Sequence, residues 1–304
     1  MSENGSKIAI TGATGLVGSA LTAVLSGKGN QVIPLRRGTR QSDSTDVFWE
    51  PSGQGIVDPK ALGDIDTVVH LAGENIATAR WTDAQKQKIR VSRVDATRNL
   101  VRSFANCEKR PSTFICASAI GFYGDRGSEE MTESSAPGSG FLPEVCRDWE
   151  AAAAEAEELG IRVVRVRIGV VLSPEGGALA KMLTPFRLCA GGIVGNGKQY
   201  WSWIGLSDLV HILEEAITNT ALRGAVNAVS PNSVTNREFT TALAKVLRRP
   251  ALFPLPAFVA KIMLGEMADD LLLGSTRVVP EVLNQSGFEF QYADLEACLR
   301  HELS

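Results

Sequence analysis

The chain has 304 residues, of which 44% are hydrophobic and 21% are charged, and its net charge is −3 with a pI near 5.8. This length allows one large domain with an appended lobe, and the composition is ordinary for a globular protein. The weak negative charge gives no general attraction to polyanions, so we expect no nucleic acid and no membrane among the partners.

The segment from Met1 to Lys7 is polar and lacks the apolar stretch of a secretory signal, and no apolar run is long enough to cross a bilayer. The five cysteines are scattered and form no C-x-x-C pair, which is typical of reduced thiols. None of the three histidines lies beside a cysteine pair, so no metal site is expected. These features favour a cytoplasmic protein.

Short apolar runs alternate with helical patterns along the first half of the chain. Strands are predicted at KIAIT (7–11), QVIPL (31–35), TVVHLAG (67–73), STFICAS (112–118) and RVVRVRIGVVL (162–172). Helices are predicted after the first strand, from Thr82 to Ala105 and from Leu142 to Leu159. Strands that are apolar on both faces and alternate with helices indicate an α/β fold with a doubly wound parallel sheet.

The loop between the first strand and the first helix has the pattern G-x-x-G-x-x-G. Its first glycine permits a tight turn, its second lets backbone N–H groups approach a pyrophosphate, and its third lets the helix lie close to the sheet. The helix N-terminus adds a favourable dipole for phosphates. This context favours a dinucleotide site over a purely structural turn. The predicted contacts are Gly12, Thr14, Gly15, Leu16, Val17 and Gly18.

Arg36 and Arg37 stand at the end of the second predicted strand, beside the expected adenosine ribose. An acidic residue there would accept a hydrogen bond from the ribose 2′-OH, but this end carries neither Asp nor Glu. Because a guanidinium suits a 2′-phosphate, we predict NADP(H) rather than NAD(H). The alternative is a pair of solvated surface arginines.

Other strand ends meet at the same edge of the sheet, where ligands of open α/β sheets bind. The HLAG turn has small residues that can pass close to a cofactor, although His70 itself is better explained as a core histidine. Arg93, on the helix below the cleft, could reach a phosphate or could be solvated. The remaining predicted cofactor contacts are Leu71, Ala72, Gly73, Glu74, Arg93, Ser118 and Arg167.

The second half of the chain has a looser pattern. Residues 173–199 are rich in glycine and predict loops with one short helix, and a helix is expected near Ser207, which can cap it. A further strand is predicted at GAVNAV (224–229). We assign 1–172, with 205–230 returning to it, to a Rossmann domain, and 173–204 with 231–304 to a smaller, mostly helical C-terminal lobe.

Four motifs in order resemble the extended short-chain dehydrogenase/reductase superfamily, in its NAD-dependent epimerase/dehydratase branch. They are TGATGLVG (11–18), VVHLAGE (68–74), SAIGFYGD (118–125) and YWSWIGLSDLV (200–210). The stretches AGENIATARWT, SRVDATRNL, GGALAKMLTPFRLCAGG and SPNSVTNREF further resemble a subgroup catalogued as epimerase family or cell-division-inhibitor-like proteins.

The resemblance implies a Ser or Thr, a Tyr-x-x-x-Lys pair and a nicotinamide as the catalytic parts. None of the three tyrosines is followed four residues later by a lysine, and the matching position reads FLPEVCRDWE. Phe141 and Val145 therefore replace the pair, and a phenyl ring cannot transfer a proton. Two further departures are Gly205 in place of a histidine and Asp95 in place of an asparagine.

Ser118 and Tyr123 remain as candidate catalytic residues. The alternatives are that Ser118 only bonds a carboxamide or backbone and that Tyr123 is structural. Further residues could line a substrate pocket or be explained by packing and a helix end, namely Trp81, Trp149, Trp201, Trp203 and Arg187. We expect an atypical NADP(H)-binding oxidoreductase or epimerase-like enzyme with an unidentified small-molecule substrate, and allow for a homodimer. The alternative is a non-catalytic NADP(H)-binding sensor or regulatory module.

Overall fold

The structure, a computed structural model, describes residues 5–38, 47–52, 55–56 and 62–304. Its strands in chain order are β1 (Lys7–Thr11), β2 (Gln31–Arg37), β3 (Val47–Glu50), β4 (Gly55–Ile56), β5 (Thr67–His70), β6 (Thr113–Ala119), β7 (Glu130–Met131), β8 (Arg162–Ile168), β9 (Val170–Leu172), β10 (Tyr200–Trp201), β11 (Trp203–Gly205), β12 (Gly224–Ala228), β13 (Val234–Thr235) and β14 (Arg277–Val278). Its α-helices are α1 (Leu16–Gly27), α2 (Asp83–Val91), α3 (Val94–Ala105), α4 (Phe141–Ala154), α5 (Gly177–Arg187), α6 (Leu206–Thr218), α7 (Asn236–Leu247), α8 (Ala257–Leu264), α9 (Glu281–Ser286) and α10 (Leu295–Glu302).

The main sheet has the strand order β12-β8-β6-β5-β1-β2-β3-β4. Seven of these strands run parallel, and the short β4 pairs antiparallel with β3 at the edge. The order changes direction at β1, so the carboxyl ends of β1 and its neighbours border the crevice where such sheets bind ligands. The predicted doubly wound parallel sheet is confirmed.

Helical layers cover both faces of this sheet, because alternate strand residues point to opposite sides. In β1, Ile8 and Ile10 pack in the cluster that includes α1 and α6, and Ala9 packs in the cluster that includes α3 and α4. A third cluster, which contains Trp203 and Phe239, joins α5, α7 and α10 in the smaller, mostly helical C-terminal region.

The predicted helix from Thr82 to Ala105 is two helices in the structure, α2 and α3, which meet at Ser92 and Arg93. The break is fixed by the loop that follows β5. The Glu74 N–H donates to Ser92 Oγ at 3.0 Å, and Arg93 Nη1 donates to the Glu74 carbonyl at 2.9 Å. The one-helix prediction was wrong because a tertiary contact overrides the local periodicity.

The run RVVRVRIGVVL is also divided, into β8 and β9, and the two strands belong to different sheets. Gly169 lies between them against the backbone of Ser202, since a Cβ there would come within 2.7 Å of the Ser202 carbonyl oxygen. Strands β3 and β4 were not predicted, so TVVH, the third predicted strand, is β5 in the structure.

The predicted cap of the helix near residue 207 was wrong. Helix α6 has Gly205 as its N-cap, and the Ser207 hydroxyl is buried without a hydrogen-bond partner in the described part of the chain. The Leu206 N–H instead donates to the Glu302 carboxylate at 3.1 Å. The Glu302 carboxylate of α10 therefore accepts the hydrogen bond at the start of α6, in place of the predicted Ser207 hydroxyl.

Candidate functional site

The glycine loop joins β1 to α1 through two close backbone contacts. Gly12 has φ +71°, and a Cβ on it would lie 3.0 Å from the Ala72 nitrogen. A Cβ on Gly18 would lie 2.2 Å from the Gly12 carbonyl oxygen, closer than real Cβ atoms approach. Both positions therefore need glycine, and together they hold the first turn of α1 against the end of β1.

The N-terminus of α1 is left open by this loop. Its N-cap, Gly15, is extended, no side chain caps it, and the first turn has no acidic residue. Thr14 is exposed, and Leu16 packs within about 3.4 Å of the position of a Cβ on Gly176. The free N–H groups can donate hydrogen bonds to an anion here, and the helix dipole favours its negative charge.

The carboxyl ends of β1 and β5 are joined through Thr11. Its Oγ1 accepts hydrogen bonds from the N–H groups of Leu71 at 3.1 Å and Ala72 at 3.2 Å. The Thr11 hydroxyl therefore donates to Nδ1 of His70, 2.7 Å away, which leaves the imidazole proton on Nε2. Burial, and then the charge of Arg93, lowers the pKa of His70 to about 3. His70 is thus a neutral core residue.

Arg93 supports the loop after β5 from below. Its guanidinium carbon lies 3.3 Å from where a Cβ on Gly73 would be, and 5.2 Å from the ring centroid of Trp149. Burial lowers the pKa of Arg93, and the Glu74 carboxylate acts in the opposite direction. Gly73 is exposed above the guanidinium, so a ligand there would meet the loop backbone first.

Arg36 and Arg37 are the last two residues of β2, and both are exposed. They lie beside Phe48 and Trp49 of β3, and no acidic side chain ends β2. The predicted pair of cations is therefore on the strand next to the glycine loop, at the same edge of the sheet.

Ser118 and Arg167 are brought together beneath the cleft by Glu150 of α4. Ser118 Oγ donates to Glu150 Oε1 at 2.7 Å, and Arg167 donates to both carboxylate oxygens at 2.8 and 2.9 Å. All three side chains are buried. The ion pair and its hydrogen bonds raise the pKa of Arg167 against the effect of burial, so the arginine stays charged.

Tyr123 continues this network away from the cleft. Its hydroxyl donates to Asn227 Oδ1 at 2.7 Å and accepts a bond from Arg167 Nη1 at 2.8 Å. The side chain is fully buried, and burial raises the pKa of Tyr123. These contacts favour the structural alternative for Tyr123, and the catalytic roles of Ser118 and Tyr123 stay predictions.

Glu150 and Asn227 are central to the site and were missed from the sequence. A signal was present for Glu150, because it follows Val145, Cys146 and Trp149 on the apolar face of α4. A buried carboxylate on that face requires a cationic partner, and Arg167 lies within an apolar strand.

Phe141 and Val145 stand where the resemblance would place a tyrosine and a lysine. Phe141 packs edge-on against Trp81 at 5.1 Å between ring centroids, and Lys86 Nζ lies 5.2 Å from the Phe141 centroid. Val145 is 1% exposed and packs with Trp81, Ile89 and other apolar residues. The start of α4 is therefore apolar where a proton-transferring pair would stand.

The tryptophans proposed for a pocket wall are all buried. Trp149 Nε1 donates to Thr97 Oγ1 at 2.9 Å, and Trp201 and Trp203 pack in the C-terminal cluster. Arg187 is exposed in the last turn of α5, as expected for a helix-end cation.

A cavity of about 470 Å³ lies next to the start of α4. Its walls are formed by the segments 121–126, 137–143 and 269–276, so it lies between the end of β6 and the C-terminal region. Leu142 and Ser139 line it directly beside Phe141.

Sequence and structure comparisons agree with this geometry. The family model described as the NAD dependent epimerase/dehydratase family matches residues 8–228, and a domain of unknown function (DUF1731) matches residues 255–302. The chain belongs to the NAD-dependent epimerase/dehydratase family. Its fold is therefore a Rossmann-like, NAD(P)-binding fold of the atypical short-chain dehydrogenase/reductase kind.

Relatives match this family member over nearly their whole length. An epimerase family protein of Mycobacterium bovis is 42% identical over 94% of this chain and 93% of its own. The mouse epimerase family protein SDR39U1 is 35% identical over 97% and 98%. The crystal structure of human SDR39U1 with NADPH has a TM-score of 0.86 at 31% identity and covers 97% of this chain and 98% of its own.

The described residues include no helix that is both long and apolar enough to cross a membrane. They also include no group of three or more His, Cys, Asp or Glu side chains arranged to hold a metal ion.

Proposed function

We propose that this family member is an NADP(H)-dependent oxidoreductase or epimerase-like enzyme with an atypical active site and a small-molecule substrate. One observation carries the proposal. The open N-terminus of α1 follows β1, and β1 pairs with β2. Strand β2 ends in Arg36 and Arg37, with no carboxylate at that end. The five free thiols are in keeping with a cytoplasmic location.

The residues present fit a bound dinucleotide. Backbone N–H groups of the loop 12–18 would bind the pyrophosphate, and Arg36 and Arg37 would bind a 2′-phosphate. The NADPH in the crystal structure of human SDR39U1 supports this assignment. When bound, the nicotinamide supplies or accepts a hydride, and the chain orients it and excludes water.

Proton transfer needs a source other than the usual tyrosine. Phe141 has no transferable proton, and the hydroxyl groups of Ser118 and Tyr123 already donate to Glu150 and Asn227. The proton would then come from the substrate itself or through a water molecule. Ser118, whose hydroxyl lies at the end of β6, remains the better placed of the two candidates.

A second function is favoured by the absence of a proton-transferring pair at the start of α4. A chain that binds NADP(H) but has apolar residues at both Phe141 and Val145 could act as a sensor or regulatory module without turnover. Turnover with any member of a broad panel of carbonyl compounds would exclude this alternative. If such turnover is unchanged in Tyr123→Phe, Tyr123 has no part in the mechanism, and the same holds for Ser118 and Ser118→Ala.

The cofactor claim is tested by titrating NADPH and NADH into the purified protein. We expect tighter binding of NADPH, and a loss of about tenfold in NADPH affinity for each of Arg36→Ala and Arg37→Ala, with little change for NADH. Arg249→Ala, an exposed arginine after α7, is the control. NADH binding at least as tight as NADPH would contradict the choice of cofactor.

A homodimer remains part of the proposal. Several large apolar side chains near α8 are 58% to 74% exposed, an amount of apolar surface that often marks an interface. Light scattering of Ile262→Asp against the unchanged protein tests it, since a monomer in both cases would exclude the dimer. The exposed side chains are Leu188, Leu252, Phe253, Phe258, Ile262 and Met263.

A further inference from the structure

The cavity beside α4 has walls that are partly bare backbone. Gly138 lies so close to the preceding segment that a Cβ there would come within 2.3 Å of the Tyr123 carbonyl oxygen. The side chains that can interact with a ligand at this wall are therefore mainly charged. The charged ones are Asp125, Arg126, Asp269 and Asp270.

Arg126 at this wall, and Lys261 behind it, are each paired with a carboxylate. Arg126 donates from Nε and Nη2 to both oxygens of Glu129, at 3.0 and 2.8 Å. Lys261 Nζ lies 2.8 Å from Asp269 Oδ1. These two ion pairs leave no guanidinium or ammonium group at the described cavity wall without a carboxylate partner.

Two carboxylates remain without a cation. Asp125 Oδ1 accepts two backbone N–H bonds, at 3.1 and 3.2 Å. The carboxylate of Asp270 makes no hydrogen bond or ion pair within the described part of the chain. Lys86, whose charge acts on Asp270, is itself paired with Glu266 at 2.5 Å. The cavity therefore carries an excess of negative charge.

The electrostatics around Asp270 agree with this excess. Partial burial, and then the carboxylates of Glu266 and Asp269, raise the pKa of Asp270. The opposing feature is the N-terminus of α4, whose dipole favours anions. It is weakened, because Pro143 lacks an N–H and Glu144 places a carboxylate in the first turn.

We propose that this cavity receives the substrate and selects neutral or cationic molecules, with an amino or hydroxyl group directed at Asp270. A phosphate would need cations that are free to bind it, and the charged groups left without an opposite charge at this wall are carboxylates. Nucleoside diphosphates and sugar phosphates are therefore rejected. The inference rests on the proposed function, because it takes the cavity beside Phe141 as the substrate side of the nicotinamide.

The charge of the cavity can be measured through a thiol placed in its wall. Ser139→Cys is made in a Cys189→Ser background, since the other four cysteines are buried. Its rates of reaction with a cationic and an anionic methanethiosulfonate are compared, with Ser286→Cys on the exposed end of α9 as the control. We expect a cation-to-anion rate ratio about fivefold above the control.

Asp270→Asn should lower this ratio toward the control value, whereas Asp64→Asn, an exposed carboxylate near the start of β1, should leave it unchanged. A ratio at or below the control, or one that Asp270→Asn leaves unchanged, overturns the proposal.

A second measurement uses sugars of one skeleton to protect the same thiol from a neutral methanethiosulfonate. Glucosamine should protect at a lower concentration than glucose, and glucose 6-phosphate should protect least. Stronger protection by the phosphate overturns the proposal, and the rate ratio decides the charge class whether or not these sugars bind. Because neither measurement uses a nicotinamide, failure of NADPH to bind would contradict the proposed function separately.

Discussion

The guanidinium of Arg167 and the carboxylate of Glu150 form a two-point ion pair in the interior, with Nε–Oε1 at 2.8 Å and Nη2–Oε2 at 2.9 Å. The two side chains are 5% and 6% exposed. Ser118 of β6 also donates to Glu150 Oε1, so the pair connects β6, β8 and α4 beneath the cleft. Its geometry favours support of the cleft floor over contact with a cofactor phosphate.

Removal of Arg167 should destabilise the protein, because the Glu150 carboxylate would be buried without a cation. Arg167→Met leaves the Glu150 charge buried without a cation, and we expect it to lower the free energy of unfolding by about 3–5 kcal/mol. Urea denaturation at neutral pH measures this. Arg126→Met, which breaks an exposed pair with Glu129, should cost less than about 1 kcal/mol. Undiminished stability with weakened NADPH binding would instead support the predicted cofactor contact of Arg167.

The glycine loop allows a matched pair of substitutions. Gly18→Ala places a Cβ 2.2 Å from the Gly12 carbonyl oxygen, so we expect a loss of about 1–3 kcal/mol in stability and loss of cofactor binding. Gly15→Ala meets the same oxygen at 3.3 Å and should leave the thermal midpoint nearly unchanged. Equal stabilities of the two variants would show that α1 does not depend on this close contact.

His70 should make stability depend on pH. Its pKa is lowered from 6.5 to about 3 in the folded protein, so the unfolded chain binds the proton more readily. The stabilisation is complete above about pH 6.5 and is lost as the pH falls, at about 1.4 kcal/mol per unit between the two values. His70→Asn, whose Oδ1 can still accept from Thr11, should remove this slope.

The measurement is urea unfolding at several pH values between about 7 and 5, above the range in which most carboxylates titrate. His301→Asn, which changes an exposed histidine stacked on Tyr292, serves as the control and should retain the slope. If His70→Asn and His301→Asn have the same pH dependence, folding does not lower the pKa of His70.

The parts of the fold that follow from local sequence were predictable. Strands with β-branched residues on both faces need cover on both sides, and the three glycines of the first loop follow a strand and open a helix. The parallel sheet and the loop are the result. The missing Tyr-x-x-x-Lys pair is likewise a property of the sequence alone.

The remaining features depend on contacts between distant residues. The break at Arg93 is fixed by Glu74, and the division at Gly169 by Ser202, so neither is visible in a window of a few residues. Glu150 is on α4, but its partner Arg167 is on β8. The unpaired carboxylates of the cavity, Asp125 and Asp270, come from two segments that are distant in sequence. Periodicity places a residue on a face, but it does not identify what that face meets.

Val145 explains why a lysine does not occur at this point of α4. Its side chain is 1% exposed and packs with Trp81, Ile89 and Met267. Val145→Lys would bury an ammonium group in this cluster, so we expect a loss of several kcal/mol at pH 7, with a smaller loss at high pH, where the amine is neutral. Phe141→Tyr, at the half-buried start of the helix, should cost less than about 1.5 kcal/mol.

Urea unfolding of the two single variants and of the double variant at two pH values checks this. If Val145→Lys is as stable as the unchanged protein and raises carbonyl reduction together with Phe141→Tyr, the cluster can open toward the cofactor and the usual pair was lost for another reason. If the double variant is unstable and Phe141→Tyr alone leaves turnover unchanged, the packing of α4 itself excludes the usual proton relay.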